Sequence, residues 1–179
     1  CTVERTWIRR ERERGRRECL IMSTNDTNGL KLLLHSIDSS GRFQEDTTGR
    51  GRDESPEIVL KGRDPDGASV AVTLEDMTHP LFGTMTHWLI WNIEPTDRIP
   101  SAIPHGKEVG SLSARQGLAY GWHRYRGPKP PRGKTHTYRF TVYVLDERLG
   151  LSARSRRKTL LRAIEGHVLQ RAVIEGTFE

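Results

Sequence analysis

The apolar positions of this chain fall mostly into short blocks, and the spacing within them predicts β-strands. "LKLLLHSI" (30–37) has consecutive leucines instead of helical spacing, which predicts a buried first strand. β-branched and aromatic residues favour strands in three further blocks, "EIVLKG" (57–62), "ASVAVTLEDM" (68–77) and "THWLIWNI" (86–93). Polar stretches rich in Gly, Pro, Ser and Asp predict loops at 38–58 and from Glu94 to about Gly117.

The block "THTYRFTVYVLD" (135–146) alternates along its whole length. Apolar residues fall on both faces of the predicted strand, so we expect it to be covered on both sides. One face carries His136, Tyr138, Phe140, Val142 and Val144, and the other carries Thr141, Tyr143 and Leu145.

The spacing changes after Ser152, where it becomes helical. Either Ser152 or Ser155 is a candidate N-cap of this amphipathic helix. "QRAVIEGTF" (170–178) returns to strand character, and no repeat or second domain is visible. The pattern therefore predicts a mainly β single domain with one late helix and a C-terminal strand. The apolar stripe of the helix consists of Leu160, Leu161, Ile164, His167 and Val168.

The charge is unevenly distributed between a leading arm and the rest of the chain. Residues 1–21 contain seven Arg and four Glu, so that half of the formal charge of +6 lies there. Runs of mixed sign are usually solvated, so we expect no nucleic-acid partner, although a basic binding arm is the alternative. We predict that residues 1–24 form an extension or disordered arm, that 25–179 form one domain, and that the natural start is Met22.

Composition also limits the class of protein. Cys1 and Cys19 both lie in the arm, so the predicted domain has no disulfide scaffold. The arm lacks the apolar core of a signal peptide, and no apolar run approaches the length of a transmembrane helix. We expect a cytoplasmic protein with no transmembrane segment.

Three ionisable residues conflict with the apolar blocks around them. Asp76 closes one predicted strand, and His87 and His136 open two others. If these strands are neighbours, a carboxylate and two imidazoles meet at one rim of the sheet, where a rigid scaffold presents side chains to a pocket.

These residues permit three chemistries. Two His and one Asp can bind a divalent metal, although no closely spaced ligand pair supports that reading. Asp and His can also orient a nucleophile, but Ser101, Ser111 and Ser113 lie outside any Gly-x-Ser-x-Gly turn. The third possibility is a passive pocket for a phosphate or carboxylate, lined by imidazoles, loop amides and a Tyr hydroxyl.

The loop before His136 is stiffened by its composition. Three prolines and two glycines precede the strand in "YRGPKPPRGKTHTYRF" (125–140), and proline fixes φ while glycine permits close approach. Together with three other blocks in the same order, this segment resembles the phosphatidylethanolamine-binding protein (PEBP) family, most closely its prokaryotic, Raf kinase inhibitor-like branch. The resemblance covers about residues 30–179 and rests on "VTLEDMTHP", "THWLIWNI", "YRGPKPPRGKTHTYRFTVYVLD" and "IEGHVLQRAVIEGTF".

The motifs of this family identify the candidate ligand-binding residues. Its Asp-Pro-Asp-Ala-Pro motif matches here only at Asp76 and Pro80, since Met77-Thr78-His79 replaces the three middle residues. The resemblance implies a cis peptide bond before Pro80. The other candidate ligand-binding residues that match are His87, Gly127, Pro130, Pro131, His136 and Tyr138, and Tyr125 matches a residue that opens the loop.

The resemblance implies an antiparallel β-sandwich with a preformed pocket for phosphate-like anions of the phosphoethanolamine or phospholipid headgroup type. We therefore expect a binding protein without catalytic turnover, cofactor or bound metal, in which His87 and His136 donate to the ligand and Asp76 orients one of the rings. The alternative is a small hydrolase or metal-dependent enzyme that uses the same residues. The family also implies a third class, a regulator that restrains a kinase or protease partner, and its prokaryotic members imply a homodimer.

Overall fold

The chain folds into two antiparallel sheets and one short helix. The computed structural model describes residues 21–22, 28–79, 81 and 83–179. Two 3₁₀ helices cover Glu45–Thr47 and Gly110–Leu112, and helix α1 covers Arg157–Ala163. The strands are β1 (Ile21–Met22), β2 (Lys31–Leu34), β3 (Ile58–Lys61), β4 (Ser69–His79), β5 (Gly83–Ile93), β6 (Arg98–Ile99), β7 (Glu108–Val109), β8 (Ala114–Gln116), β9 (His136–Leu145) and β10 (Val168–Phe178).

The strands form a smaller and a larger sheet. The smaller has the order β1-β2-β3-β6 and the larger the order β10-β9-β4-β5-β8-β7. The strands β4, β5 and β9 are neighbours in the centre of the larger sheet, as a site at their rim requires. The predicted mainly β, antiparallel fold with a late helix and a C-terminal strand is confirmed.

The larger sheet is covered on both faces. One face packs against the smaller sheet, through residues such as Leu74 and Phe140 opposite Leu32 and Leu60. The other face packs against α1, where Leu160 meets Leu89 and Trp91. β9 contributes Tyr138, Phe140, Val142 and Val144 to the first core, and Tyr143 and Leu145 to the second. The prediction that both faces of this strand are buried is confirmed.

The late helix differs from its prediction in length and cap. It begins at Arg157, and neither Ser152 nor Ser155 is its N-cap, a position that Arg156 occupies without a side-chain hydrogen bond. Leu160 and Ile164 are buried as predicted. Val168 is instead the first residue of β10, because pairing with Leu145 draws the chain into the sheet before the helical stripe is complete.

The loop predicted from Glu94 to Gly117 contains structure that the pattern did not indicate. β6 pairs with β3, and β7 and β8 extend the larger sheet beyond β5. Strands of two or three residues are too short to show alternation, so pairing with their neighbours determines them. Among the described residues, no helix is long and apolar enough to span a bilayer.

Candidate functional site

Asp76 and His136 meet on the inner face of the larger sheet. Asp76 pairs with Tyr138 across β4 and β9, which brings His136 into diagonal contact with its carboxylate. The Nδ1 atom of His136 lies 2.7 Å from Oδ2 of Asp76. Asp76 is 3% exposed and His136 8%, so the pair is almost fully removed from water.

A β-bulge brings His87 to the same face. Trp88 pairs with Leu74, and Thr86 pairs with the next residue, Glu75, which leaves His87 as the extra residue of β5. Simple alternation would direct His87 away from Trp88 and out of the inner face, whereas a bulge redirects the side chain. The ring of His87 contacts that of Tyr138 edge to face, with 5.2 Å between centroids.

The two strands that carry Asp76 and His87 continue past the site. The sequence predicts these residues at strand ends, which is wrong, because β4 runs on to His79 and β5 begins at Gly83. Hydrogen bonds of Thr78 connect the additional strand residues of this hairpin to Asp76 and to β9. The backbone N–H of Thr78 donates to Asp76 Oδ1 over 2.8 Å, and the hydroxyl of Thr78 accepts from the N–H of Thr137 over 2.8 Å. Thr78, one of the residues that differ from the family motif, therefore holds β4 against β9 beside His136.

The hydrogen bonds of both imidazoles fix which ring nitrogen is engaged by the protein. His87 Nδ1 lies 2.9 Å from the carbonyl oxygen of Arg126, just as His136 Nδ1 faces Asp76. Both Nδ1 atoms face acceptors, so in the neutral rings each carries the proton and each Nε2 is an acceptor. Nε2 of His87 is buried and has no partner among the described residues. From the sequence we expect both rings to donate to a ligand. In this geometry Nε2 would be the donor, which requires a second proton on the ring.

Burial opposes that second proton on His87. The loss of solvation, the largest effect, lowers the pKa of His87 below its ordinary value of 6.5, although the carbonyl of Arg126 and the charge of Asp76 act in the opposite direction. His87 is 5% exposed. At neutral pH a neutral His87 therefore has a buried hydrogen-bond acceptor, its Nε2 atom, that no described residue engages.

Tyr138 and Tyr120 complete the aromatic lining. Tyr138 is buried between His87 and His136, and burial, followed by the charge of Asp76, raises its pKa. Tyr120 contacts the other side of His87 edge to face at 5.0 Å. Burial and Asp76 also raise the pKa of Tyr120, so both phenols are un-ionised hydrogen-bonding groups.

Hydrogen bonds from a polar segment far away in the sequence hold the proline loop (126–134) in place. The N–H of Gly127 donates to Asp53 Oδ1 over 2.6 Å, and the guanidinium of Arg50 donates to the carbonyl of Pro130 over 2.8 Å. A Cβ on Gly127 would overlap the backbone of Thr47 and Thr48, which explains the glycine. The segment 47–53 therefore packs against the proline loop and supports it. The sequence indicated this segment only as part of a polar loop.

The candidate ligand-binding residues are not all alike in position. Asp76, His87, His136 and Tyr138 converge, with Gly127 and the buried Pro130 in the adjoining loop. Pro131 is exposed. Pro80, and with it the expected cis peptide bond, lies outside the described residues.

Sequence reasoning missed three residues around His87. Tyr120 contacts the ring of His87, and the backbone carbonyl of Arg126 accepts a hydrogen bond from its Nδ1 atom. Asp53 accepts a hydrogen bond from the N–H of the next residue in the loop, Gly127. The cluster of Tyr, Trp and Arg residues just before the prolines could have indicated Tyr120 as a candidate site residue. Nothing in the sequence indicated Asp53.

Comparison with known proteins identifies relatives for most of the chain. The profile of the family described as phosphatidylethanolamine-binding protein matches residues 35–179. A UPF0098 protein of Pyrococcus horikoshii is 39% identical over 154 residues, which are 84% of this chain and 77% of that protein. A UPF0098 protein of Archaeoglobus fulgidus is 38% identical over 144 residues, 80% of this chain but only 49% of the relative. The chain thus spans about half the length of the Archaeoglobus relative and about three quarters of the Pyrococcus one.

Solved structures share the fold. A phosphatidylethanolamine-binding protein homologue of Chlamydia trachomatis superposes with a TM-score of 0.74 at 24% identity, covering 86% of this chain and 99% of that one. Escherichia coli YbcL, described as a new member of the mammalian PEBP family, gives a TM-score of 0.73 at 23% identity, covering 83% and 96%.

Proposed function

This chain belongs to the phosphatidylethanolamine-binding protein family, and from that premise we propose that it is a binding protein whose pocket holds a phosphate-like anion. The observation that carries the proposal is the pair of imidazoles His87 and His136. Both Nδ1 atoms are engaged by protein acceptors, and Nε2 of His87 is buried without a partner among the described residues. Buried polar atoms are normally satisfied, so a ligand is the natural partner for Nε2 of His87.

The ligand has to share protons with these rings. A neutral Nε2 accepts a hydrogen bond, which the P–O–H group of a singly charged phosphate ester can donate. A protonated ring donates instead, and its charge favours the anion. In both cases the complex holds one proton more than the free dianion and neutral ring would, so binding is linked to proton uptake.

This linkage gives the test of the function. Calorimetric titration with ethyl phosphate, a simple ester, should show tighter binding at about pH 5.5 than at about pH 8, because the second phosphate pKa is near 6. A chelator should leave both affinities unchanged. A metal site predicts the reverse on both counts, because metal ligands bind when deprotonated. An absence of heat at millimolar ligand, or tighter binding at high pH, would contradict the proposal.

A matched pair of variants tests the residues. His136→Ala should weaken ethyl phosphate binding by roughly 1.5–3 kcal/mol, the size of a lost hydrogen bond to a charged group. His167→Ala is the control, because His167 also contacts a carboxylate, that of Asp146 at 2.9 Å, but on the exposed surface. Equal losses in the two variants would show that the pocket does not depend on His136.

A further inference from the structure

Tyr120 has a backbone conformation that large residues rarely adopt. Its φ is 52° and that of Gly121 is 79°, within a two-residue turn closed by hydrogen bonds of 3.1 and 2.9 Å between Ala119 and Trp122. Asn and Gly are the residues that suit such a turn. The other described non-glycine residues with positive φ are small or polar, namely Asn28, Asp53, Asn92, Ala102 and Ser113. A bulky residue held in this conformation indicates a functional use of its side chain.

The ring of Tyr120 lies between the buried ring of His87 and the solvent. Its centroid is 5.0 Å from the buried ring of His87, and the residue itself is 43% exposed. The guanidinium of Arg126 lies over the ring, 5.1 Å from its centroid. Trp122, in the same turn, is 59% exposed. A ligand that reaches His87 therefore passes beside a tyrosine and an arginine.

The chain segment that carries Tyr120 and Arg126 is basic. Between Glu108 and Asp146 the sequence contains seven Lys or Arg residues and no Asp or Glu. The carboxylates that influence His87 are Asp76 and Asp53, and each accepts hydrogen bonds from protein groups. An ammonium group on the ligand would be repelled by Arg126, whereas a flat aromatic group can stack on an aromatic ring or on a guanidinium plane.

We propose that Tyr120 and Arg126 form a selectivity subsite, so that the pocket takes phosphate esters with a planar aromatic substituent in preference to those with an ammonium substituent. The inference rests on the proposed phosphate pocket and concerns the part of the ligand attached to the phosphate. It differs from the phosphoethanolamine type of ligand that the sequence resemblance implies. Unfavourable contacts with the wrong substituent contribute to such selectivity as much as favourable ones with the right substituent.

Three ligands test the subsite by calorimetric titration of the full chain. Ethyl phosphate is the reference, phenyl phosphate adds a ring, and phosphoethanolamine adds an ammonium group. All three are compared at about pH 5, where the phosphate carries mostly one negative charge. Phenyl phosphate should bind roughly fivefold more tightly than ethyl phosphate. Phosphoethanolamine should bind about threefold more weakly than ethyl phosphate.

Variants assign these ratios to residues. Tyr120→Leu should remove the preference for phenyl over ethyl phosphate, and Tyr120→Asn, which suits the turn, should do the same in a well-folded protein. Arg126→Met should remove the discrimination against phosphoethanolamine, while the backbone carbonyl that holds His87 is retained. Lys134→Met, at an exposed cation of the same loop, should leave both ratios unchanged.

The outcomes distinguish a failure of the selectivity subsite from a failure of the proposed phosphate pocket. If ethyl phosphate binds but phenyl phosphate binds no better, or if phosphoethanolamine binds more tightly than ethyl phosphate, the subsite is wrong and the pocket stands. If no phosphate ester binds at millimolar concentration, both are wrong.

Discussion

At the scale of single residues, the acceptor that each imidazole faces determines its chemistry. His136 faces a carboxylate and His87 a backbone carbonyl, yet both are fixed through Nδ1 and both present Nε2. Their residue type alone left donor and acceptor roles open. Burial then decides the charge of His87, because an imidazolium without solvent is unfavourable.

We expect this burial to make the protein less stable in acid. Below the ordinary pKa of 6.5, the unfolded chain binds a proton that the folded His87 resists, so the free energy of unfolding falls as the pH falls. One proton limits the slope to about 1.4 kcal/mol per pH unit. Urea denaturation at about pH 8 and about pH 5.5 should therefore show a smaller acid loss in His87→Gln than in the natural chain.

His105→Gln is the control for this measurement, because His105 is exposed. Its acid loss should match that of the natural chain. If His87→Gln also matched the natural chain, His87 would not be the buried neutral group described here.

At the scale of elements, two irregular features position the residues of the candidate site. The bulge in β5 redirects His87 onto the face that carries Asp76 and Tyr138. The segment 47–53 holds the proline loop through hydrogen bonds, including one that the hydroxyl of Tyr125 donates to the carbonyl of Thr47 over 2.7 Å. Rigid support of this kind keeps the binding residues in place before a ligand arrives.

The close approach at Gly127 predicts a specific sensitivity. Gly127→Ala would drive a Cβ into the backbone of Thr47 and Thr48, which cannot move as a flexible side chain can. We expect a loss of roughly 1–3 kcal/mol in the free energy of unfolding, together with weaker ethyl phosphate binding. Chemical denaturation and calorimetry measure the two effects.

Gly150→Ala is the matched control, because a Cβ there meets nothing within 4 Å and its φ is not positive. It should be neutral or slightly stabilising. A neutral Gly127→Ala would show that the two loops can separate without cost and that their packing does not support the pocket.

At the scale of the whole molecule, the candidate site lies on the central strands of the larger sheet. The central strands β4, β5 and β9 are each buried by a partner on either side of the sheet. Of residues 1–24, the structure describes Ile21 and Met22, which pair with Leu34 and Leu33 at the edge of the smaller sheet. The division into an arm of 1–24 and a domain of 25–179 stays a prediction.

We expect the arm to contribute little to stability. A chain that begins at Met22 should melt within a few degrees of the full chain and bind ethyl phosphate equally well, because a two-residue edge pairing buries little surface. Calorimetric melting of both chains measures this. A loss above about 3 kcal/mol would show that the arm is part of the fold.

The sequence by itself determined the central strands and the two buried faces of β9, and it proposed candidate site residues, of which Asp76, His87, His136 and Tyr138 lie together. It could do so because strand periodicity and a stiff loop of prolines are local properties, and because the family motifs mark Asp76, His87 and His136. Three features were decided by the tertiary structure alone. Strand pairing ended the helix before Val168 and created β6, β7 and β8 from segments without a pattern. The β4–β5 register produced the bulge at His87. Contacts between residues far apart in the chain, Asp53 with Gly127 and Arg50 with Pro130, fixed the loop. These depend on which segments meet in space, and no local pattern encodes such a meeting.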